Sequence, residues 1–176
     1  KPAKKQLFFL HGTTWETKLW PVEYWKQLVV LAESSGYEVV MTYGDQIEQK
    51  RATEIAEAST CARVLPPMGL SDIVEVIAES SGVVTVDTGL GHLANAMGKP
   101  LVALYSATSP ELTGPCGAHQ KVIRESKLDC VPCLRRECLH QPGKLSQFHP
   151  PCFSDSTPQR VFEALQGLIH AGKIVT

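Results

Sequence analysis

The run Val83-Val84-Thr85-Val86 reads as the interior of a sheet, and it breaks at once into Asp87-Thr88-Gly89. The next residues, Leu90-Gly91-His92-Leu93-Ala94-Asn95-Ala96-Met97, carry apolar side chains at helical spacing. The junction is therefore a strand that hands polar groups to the start of a helix. The first N–H groups of a helix have no partner inside it, and the dipole there is positive, so such a start attracts anions. A chain with this junction needs a buried strand followed by a covering helix, which is the unit of a layered α/β fold.

The rest of the chain repeats the unit. Gln6 to His11 predicts a buried strand, and Pro21 to Ser35 a helix with Trp25, Leu28, Val29 and Ala32 on one face and Gly36 as its stop. Tyr37 to Tyr43 predicts a second strand and Asp45 to Ala58 a second helix. A short third strand, Ala62 to Leu65, closes at Pro66-Pro67. Ser71 to Ser80 predicts a third helix capped by Ser71, with Ile73, Val74 and Ile77 inward. Val83 to Val86 is the fourth strand, Leu90 to Met97 the fourth helix, and Pro100 to Tyr105 the fifth strand. Strands that are apolar throughout are buried on both faces, which predicts a parallel sheet. The fold class is α/β, a Rossmann-like, doubly wound parallel sheet.

Beyond Ser106 the period is lost. Residues 107–156 are rich in Pro, Cys, Gly and His and predict irregular structure, with a Cys-rich insertion at about 126–156. A helix over 158–171 follows, capped by Thr157, with Val161, Leu165, Leu168 and Ile169 inward.

In doubly wound sheets ligands bind beyond the carboxyl ends of the strands, where the strand order reverses. With a Rossmann-like order that point lies between the first and fourth strands. Those two ends carry the most polar loops, His11-Gly12-Thr13-Thr14 and Asp87-Thr88-Gly89. Neither Gly-x-Gly-x-x-Gly nor a Walker-type Gly-Lys-Ser/Thr is present. A phosphate would have to be held by hydroxyls, backbone amides and a cation, and Thr13, Thr14 and Lys18 supply these. Taken singly, Thr13 and Thr14 read better as turn or cap residues and Lys18 as a surface charge. Facing a second polar loop, they favour the ligand.

Asp87 reads either as a cap of the fourth helix or, since a carboxylate repels phosphate, as a group that orients neighbouring donors or bonds a ribose or sugar hydroxyl. Gly89 and Gly91 allow close backbone approach. His92 is a structural histidine or, protonated, a group that meets leaving-group charge. Glu48 reads most simply as a solvated helix residue and Met68 as core, yet both follow strand ends and so can reach the rim. A carboxylate suits ribose hydroxyls, and a thioether suits a purine face.

With 176 residues and a net charge of −1, the chain has room for one full core and no basic face for nucleic acid. No apolar run is long enough to span a membrane, and no signal-peptide pattern opens the chain. The basic start (Lys1, Lys4, Lys5) reads as a solvated end. A reducing compartment is therefore expected, with the six cysteines as thiols. Cys130, Cys133, Cys138 and Cys152 cluster. They read as a structural zinc site with His140 and His149 in reserve, as free thiols, or as an oxidised pair.

The blocks His11-Gly-Thr-Thr-Trp-Glu-Thr-Lys18-Leu-Trp-Pro21, Asp87-Thr-Gly-Leu-Gly-His92-Leu and Lys99-Pro-Leu-Val-Ala-Leu-Tyr-Ser together resemble the C-terminal half of the ADP-heptose:lipopolysaccharide heptosyltransferases, with the heptosyltransferase I branch closest. The likeness covers about the first two thirds of the chain. It implies one domain of a GT-B glycosyltransferase, with residues 1–176 as the C-terminal donor-binding domain. By resemblance, Thr13, Thr14 and Lys18 meet the donor diphosphate, and Glu48 and Met68 meet ribose and adenine. Asp87, Thr88, Gly89 and His92 line the diphosphate and sugar end, and Lys18 and His92 serve catalysis. The implied reaction is inverting transfer of heptose from ADP-heptose to the Kdo of the lipid A–Kdo acceptor, with no cofactor or metal. The implied location is cytoplasmic, touching the inner face of the inner membrane.

The Cys-rich insertion departs from the heptosyltransferase I pattern and leaves the acceptor open. The acceptor-binding domain and its general base are not in this sequence, so the chain is expected to bind donor weakly and not to transfer heptose by itself. The rival readings are a GT-B domain for another nucleotide-sugar, and a non-catalytic nucleotide-binding or zinc-stabilised interaction domain.

Overall fold

The structure is a computed structural model that describes residues 5–173; Lys1, Lys4 and the last three residues lie outside it. Elements alternate as the pattern predicts. They run β1 (Gln6–Leu10), α1 (Val22–Ser34), β2 (Glu38–Met41), α2 (Gln46–Ala56), β3 (Ala62–Val64), α3 (Leu70–Glu79), β4 (Gly82–Val86), α4 (Gly89–Ala96) and β5 (Leu101–Leu104). Then come α5 (Pro110–Thr113), β6 (Gln120–Ile123) and α6 (Pro158–Lys173). The six strands form one sheet in the order β3-β2-β1-β4-β5-β6, and every pairing is parallel.

Every residue of β1, β4 and β5 is buried, as expected of strands covered on both faces. Successive side chains on a strand point to opposite faces, so β1 divides cleanly. Leu7 and Phe9 join the core under α1, α2 and α6 with Trp25, Leu28, Ile55, Val161 and Leu165. Phe8 and Leu10 join the core under α3 and α4 with Ile73, Ile77 and Ala94. Trp25 sits edge-on to Trp20 at 5.0 Å and tilted against Phe9 at 5.3 Å, a geometry that aromatic quadrupoles favour.

Four differences from the sequence reading stand out. First, α3 begins at Leu70 with Gly69 as its cap, not Ser71. Asp72 reaches back to accept the Gly69 N–H at 3.2 Å, and a carboxylate in the first turn does this better than a hydroxyl. Second, α4 starts at Gly89 with Thr88 at the cap position, so Asp87 is not the cap. Third, the irregular region contains a sixth strand: Gln120–Ile123 pairs with β5 at the sheet edge. Its Gln-Lys-Val-Ile pattern suits a strand with one neighbour and partial exposure. Fourth, on α6 Val161, Leu165 and Ile169 are buried as expected and Phe162 joins them, while Leu168 is only partly buried. Among the described residues no helix is long and apolar enough to cross a membrane.

Candidate nucleotide site

The strand order reverses between β1 and β4, which pair with Leu10 beside Thr85. The loops leaving these two strands therefore face each other. The Lys18 ammonium crosses from one to the other and meets Asp87 Oδ2 at 2.8 Å, with side chains only 15% and 10% exposed. Thr13 Oγ1 donates to the Asp87 carbonyl at 3.4 Å. Lys18 ends a 3-10 turn, Glu16–Lys18, and its ammonium lies 4.4 Å from the centre of the Trp15 ring. Arg136 covers the same ring at 5.5 Å. Charge pairing and the ring face together hold one cation at the mouth of the crevice.

Asp87 has two further partners. Thr108 Oγ1 donates to Oδ2 at 2.6 Å, and Tyr105 Oη lies 3.2 Å from Oδ1. Burial pushes the Asp87 carboxyl up, and Lys18, Thr108 and Tyr105 outweigh it, holding it below the usual carboxylate range. The Tyr105 phenol is pushed up, first by burial and then by the Asp87 charge. Asp87 is thus the hub of the site, turned away from the α4 amides. That leaves the helix start to a ligand. Gly91 makes this geometry possible, because a Cβ there would stand 2.7 Å from Thr85 Oγ1 and 2.8 Å from its Cγ2. The α4 backbone is pressed against β4, with its first amides at the crevice.

Glu48 also comes to the crevice. It accepts the Gly44 N–H at 2.7 Å, and its own N–H donates to Asp45 Oδ1 at 2.8 Å. Its carboxylate lies over Gly12, where a Cβ would stand 2.6 Å from Glu48 Cδ. Thr14 and Gly89 are exposed. Thr88 is partly buried, and His92 is exposed further along α4. Met68 is partly buried against the core beneath α3 and α4. His11 turns inward: it is fully buried, and its Nε2–H donates to the Thr42 carbonyl at 3.2 Å. Burial and the Arg51 charge lower it to about 4 against the opposing pull of that hydrogen bond, so it is a neutral structural ring.

Sequence reasoning missed Trp15, Tyr105, Thr108 and Arg136. Tyr105 and Thr108 follow the end of β5, so the rule that ligand groups gather beyond strand ends would have found them.

The Cys-rich segment is fastened to the Lys18 loop. Thr17 N–H donates to the Arg136 carbonyl at 3.3 Å, and its hydroxyl donates to the Arg135 carbonyl. Ser106 Oγ donates to the Thr17 carbonyl at 2.8 Å, and Leu134 N–H to Ala107 at 2.8 Å. Further on, Trp20 Nε1–H reaches the Ser156 carbonyl at 3.0 Å and Tyr24 Oη the Ser154 carbonyl at 2.9 Å. Cys130, Cys133, Cys138 and Cys152 line one cavity of about 20 Å³ with His140, and Cys130 Sγ is 3.5 Å from His140 Nε2. All six cysteines are free. Among the described residues no three His, Cys, Asp or Glu side chains are assembled as metal ligands. Burial pushes the Cys152 thiol up to about 11.

Comparison with known proteins agrees with this geometry. Residues 1–144 match glycosyltransferase family 9 (heptosyltransferase). Lipopolysaccharide heptosyltransferase 1 of Pseudomonas aeruginosa is 38% identical over 97% of this chain and 50% of its own length. The E. coli heptosyltransferase WaaC, solved with ADP, superposes with a TM-score of 0.66 at 39% identity, over 68% of this chain and 38% of that one. E. coli ADP-heptose lps heptosyltransferase II superposes with a TM-score of 0.76 at 29% identity, over 98% and 49%. The chain spans about half the length of the curated relative from Pseudomonas. Fold, crevice and sequence blocks converge: the chain belongs to glycosyltransferase family 9, the heptosyltransferases.

Proposed function

We propose that this chain is the C-terminal, donor-binding half of an inverting heptosyltransferase that uses ADP-heptose. The observation that carries the reading is the Lys18–Asp87 pair spanning the switch point, set against the open start of α4. The E. coli relative solved with ADP supports the choice of nucleotide. The donor diphosphate sits between the α4 amides and the Lys18 ammonium, with Thr13 and Thr14 hydroxyls donating to its oxygens and Gly89 giving the backbone room. Glu48 accepts from the ribose hydroxyls, and Met68 lies against adenine. Thr88 and His92 line the sugar end.

In the transfer step an acceptor hydroxyl attacks the anomeric carbon from the face opposite ADP. The C–O bond to the diphosphate breaks as the new one forms, so configuration inverts. Negative charge grows on the departing diphosphate, and Lys18, the α4 amides and the His92 ring N–H stabilise it. The base that takes the acceptor proton belongs to the other half of the enzyme. The acceptor in this reading is the Kdo of lipid A–Kdo, which places the whole protein in the cytoplasm against the inner membrane.

Thermal unfolding with ADP, UDP and GDP tests the donor reading. A ligand that binds only the native state raises stability by about 2.7 kcal/mol at one hundred times its Kd. ADP is expected to raise the melting temperature, UDP and GDP less, and Lys18→Ala to abolish the ADP effect. Equal shifts with all three nucleotides would remove the adenine assignment. No shift with ADP would remove the donor reading.

A further inference from the structure

Lys18 has two claimants in the proposed reaction. It neutralises Asp87 at 2.8 Å, and in the donor complex it must also serve the diphosphate. When it turns to phosphate, a carboxylate with a side chain only 10% exposed faces a second anion. A buried charge left without partners is strongly unfavourable. Something has to hold Asp87 in its ionised form at that moment.

We infer that Tyr105 and Thr108 are positioning residues that take over the Asp87 carboxylate when Lys18 engages the donor diphosphate. This rests on the donor reading above. Both residues come from the end of β5, the strand beside β4, so they approach Asp87 from the side away from Lys18's loop. Thr108 Oγ1 is already at 2.6 Å from Oδ2, the same oxygen that Lys18 uses. It shares the charge now and keeps it later.

Tyr105 acts as a reserve. Its hydroxyl has one proton and two acceptors in reach, the Thr113 carbonyl at 2.9 Å and Asp87 Oδ1 at 3.2 Å. While Lys18 neutralises Asp87, the nearer carbonyl competes well for that proton. Once Lys18 leaves, the carboxylate becomes the stronger acceptor, because hydrogen bonds to charged groups are stronger than neutral ones. The O–H then turns to Oδ1, and no heavy atom needs to move far. The titratable groups facing Asp87 are Lys18 and Tyr105, and Thr108 adds a donor that cannot ionise. Asp87 therefore stays ionised and does not follow Lys18 toward the phosphate.

Calorimetric titration of this chain with ADP, in two buffers of different ionisation enthalpy near pH 6, tests the inference. The chains compared are the wild type, Thr108→Val, Thr108→Ser and Tyr105→Phe. Thr108 holds Asp87 in both states, so only the strengthening of its bond once Lys18 leaves enters the Kd, and a strengthening of about 1.4 kcal/mol corresponds to about a tenfold weaker Kd on its loss. Thr108→Val is expected to bind ADP about tenfold more weakly and to take up close to one more proton per ADP than the wild type, because Asp87 protonates in its complex. Thr108→Ser restores both values. Tyr105→Phe gives the same proton uptake with a smaller change in Kd.

A purely structural role lowers the melting temperature but leaves proton uptake unchanged. Wild-type uptake in both Thr108→Val and Tyr105→Phe overturns the inference while the donor reading stands. Failure of the wild type to bind ADP overturns the donor reading, and this inference falls with it.

Discussion

Gly91→Ala tests how the helix that opens the site is seated. In an exposed helix interior the change would add about 1 kcal/mol of stability, because alanine loses less backbone freedom. Here the new methyl would lie 2.7 Å from Thr85 Oγ1, 2.8 Å from Cγ2 and 3.3 Å from Cβ. Thr85 cannot step aside. It is 1% exposed, it is β-branched and stiff at χ1, and its strand is paired with Leu10 on one side and Ala103 on the other. Any staggered χ1 leaves either Oγ1 or Cγ2 against the methyl, and rotation also breaks the 2.7 Å bond from Oγ1 to the Val86 carbonyl. Overpacking of this kind costs about 1–3 kcal/mol, and the contacts here put it at the upper end. The expected net loss is about 2 kcal/mol, the packing cost less the propensity gain. Urea unfolding followed by the fluorescence of buried Trp20 and Trp25 reads it as a lower midpoint with an unchanged slope. Gly89→Ala, with open space around the new methyl, should lose nothing. Adding Thr85→Ala to Gly91→Ala should recover about 3 kcal/mol relative to additivity, the whole packing cost, because the propensity gain persists in the double variant. A Gly91→Ala protein as stable as the wild type would refute the reasoning.

Acid should weaken the fold through His11. Its folded-state value of about 4 lies below the ordinary 6.5, so the unfolded chain binds the proton more readily. The neutral ring's contribution is complete above pH 6.5 and is lost as pH falls through the folded value. About 2.5 pKa units correspond to about 3 kcal/mol. The stability difference between wild type and His11→Asn should shrink on acidification across that window, and parallel pH profiles would contradict it. Cysteine labelling separates the thiols: with a value of about 11, Cys152 is about one part in a thousand thiolate at pH 8. Iodoacetamide followed by mass spectrometry should modify exposed Cys116 long before Cys152. Equal rates would show that the Cys-rich segment opens freely.

The interior strands were legible because burial on both faces leaves no polar position to blur them, as in Val83-Val84 and Leu7-Phe8-Phe9. β6 was not, because an edge strand that opens with the polar pair Gln120 and Lys121, the second of them exposed, looks like loop. The switch point followed from strand order, and with it the facing of Thr13 and Lys18 toward Asp87. For Asp87, orienting neighbouring donors was one of two main readings, and which donors it holds did not follow. From sequence it is adjacent to a helix start and looks like a cap. Its actual partners lie at positions 18, 105 and 108, and no local rule joins residues that far apart.

The hydrogen bonds of Thr17 have a consequence for how variation in this chain is felt. The excursion between β6 and α6 has fixed feet. One foot grips Thr17 and Ala107 through Leu134, Arg135 and Arg136, and the other grips Trp20 and Tyr24 through Ser154 and Ser156. Between them the stretch around Leu139 and Leu145 is exposed. Loop closure entropy rises only slowly with length, so residues can be added or removed at that tip with little effect on the rest. A change at the first foot is different, because the Arg135 and Arg136 carbonyls that anchor it also stiffen, through Thr17, the turn bearing Lys18. The tip is free to drift in length and composition, while the first foot is bound to the nucleotide loop.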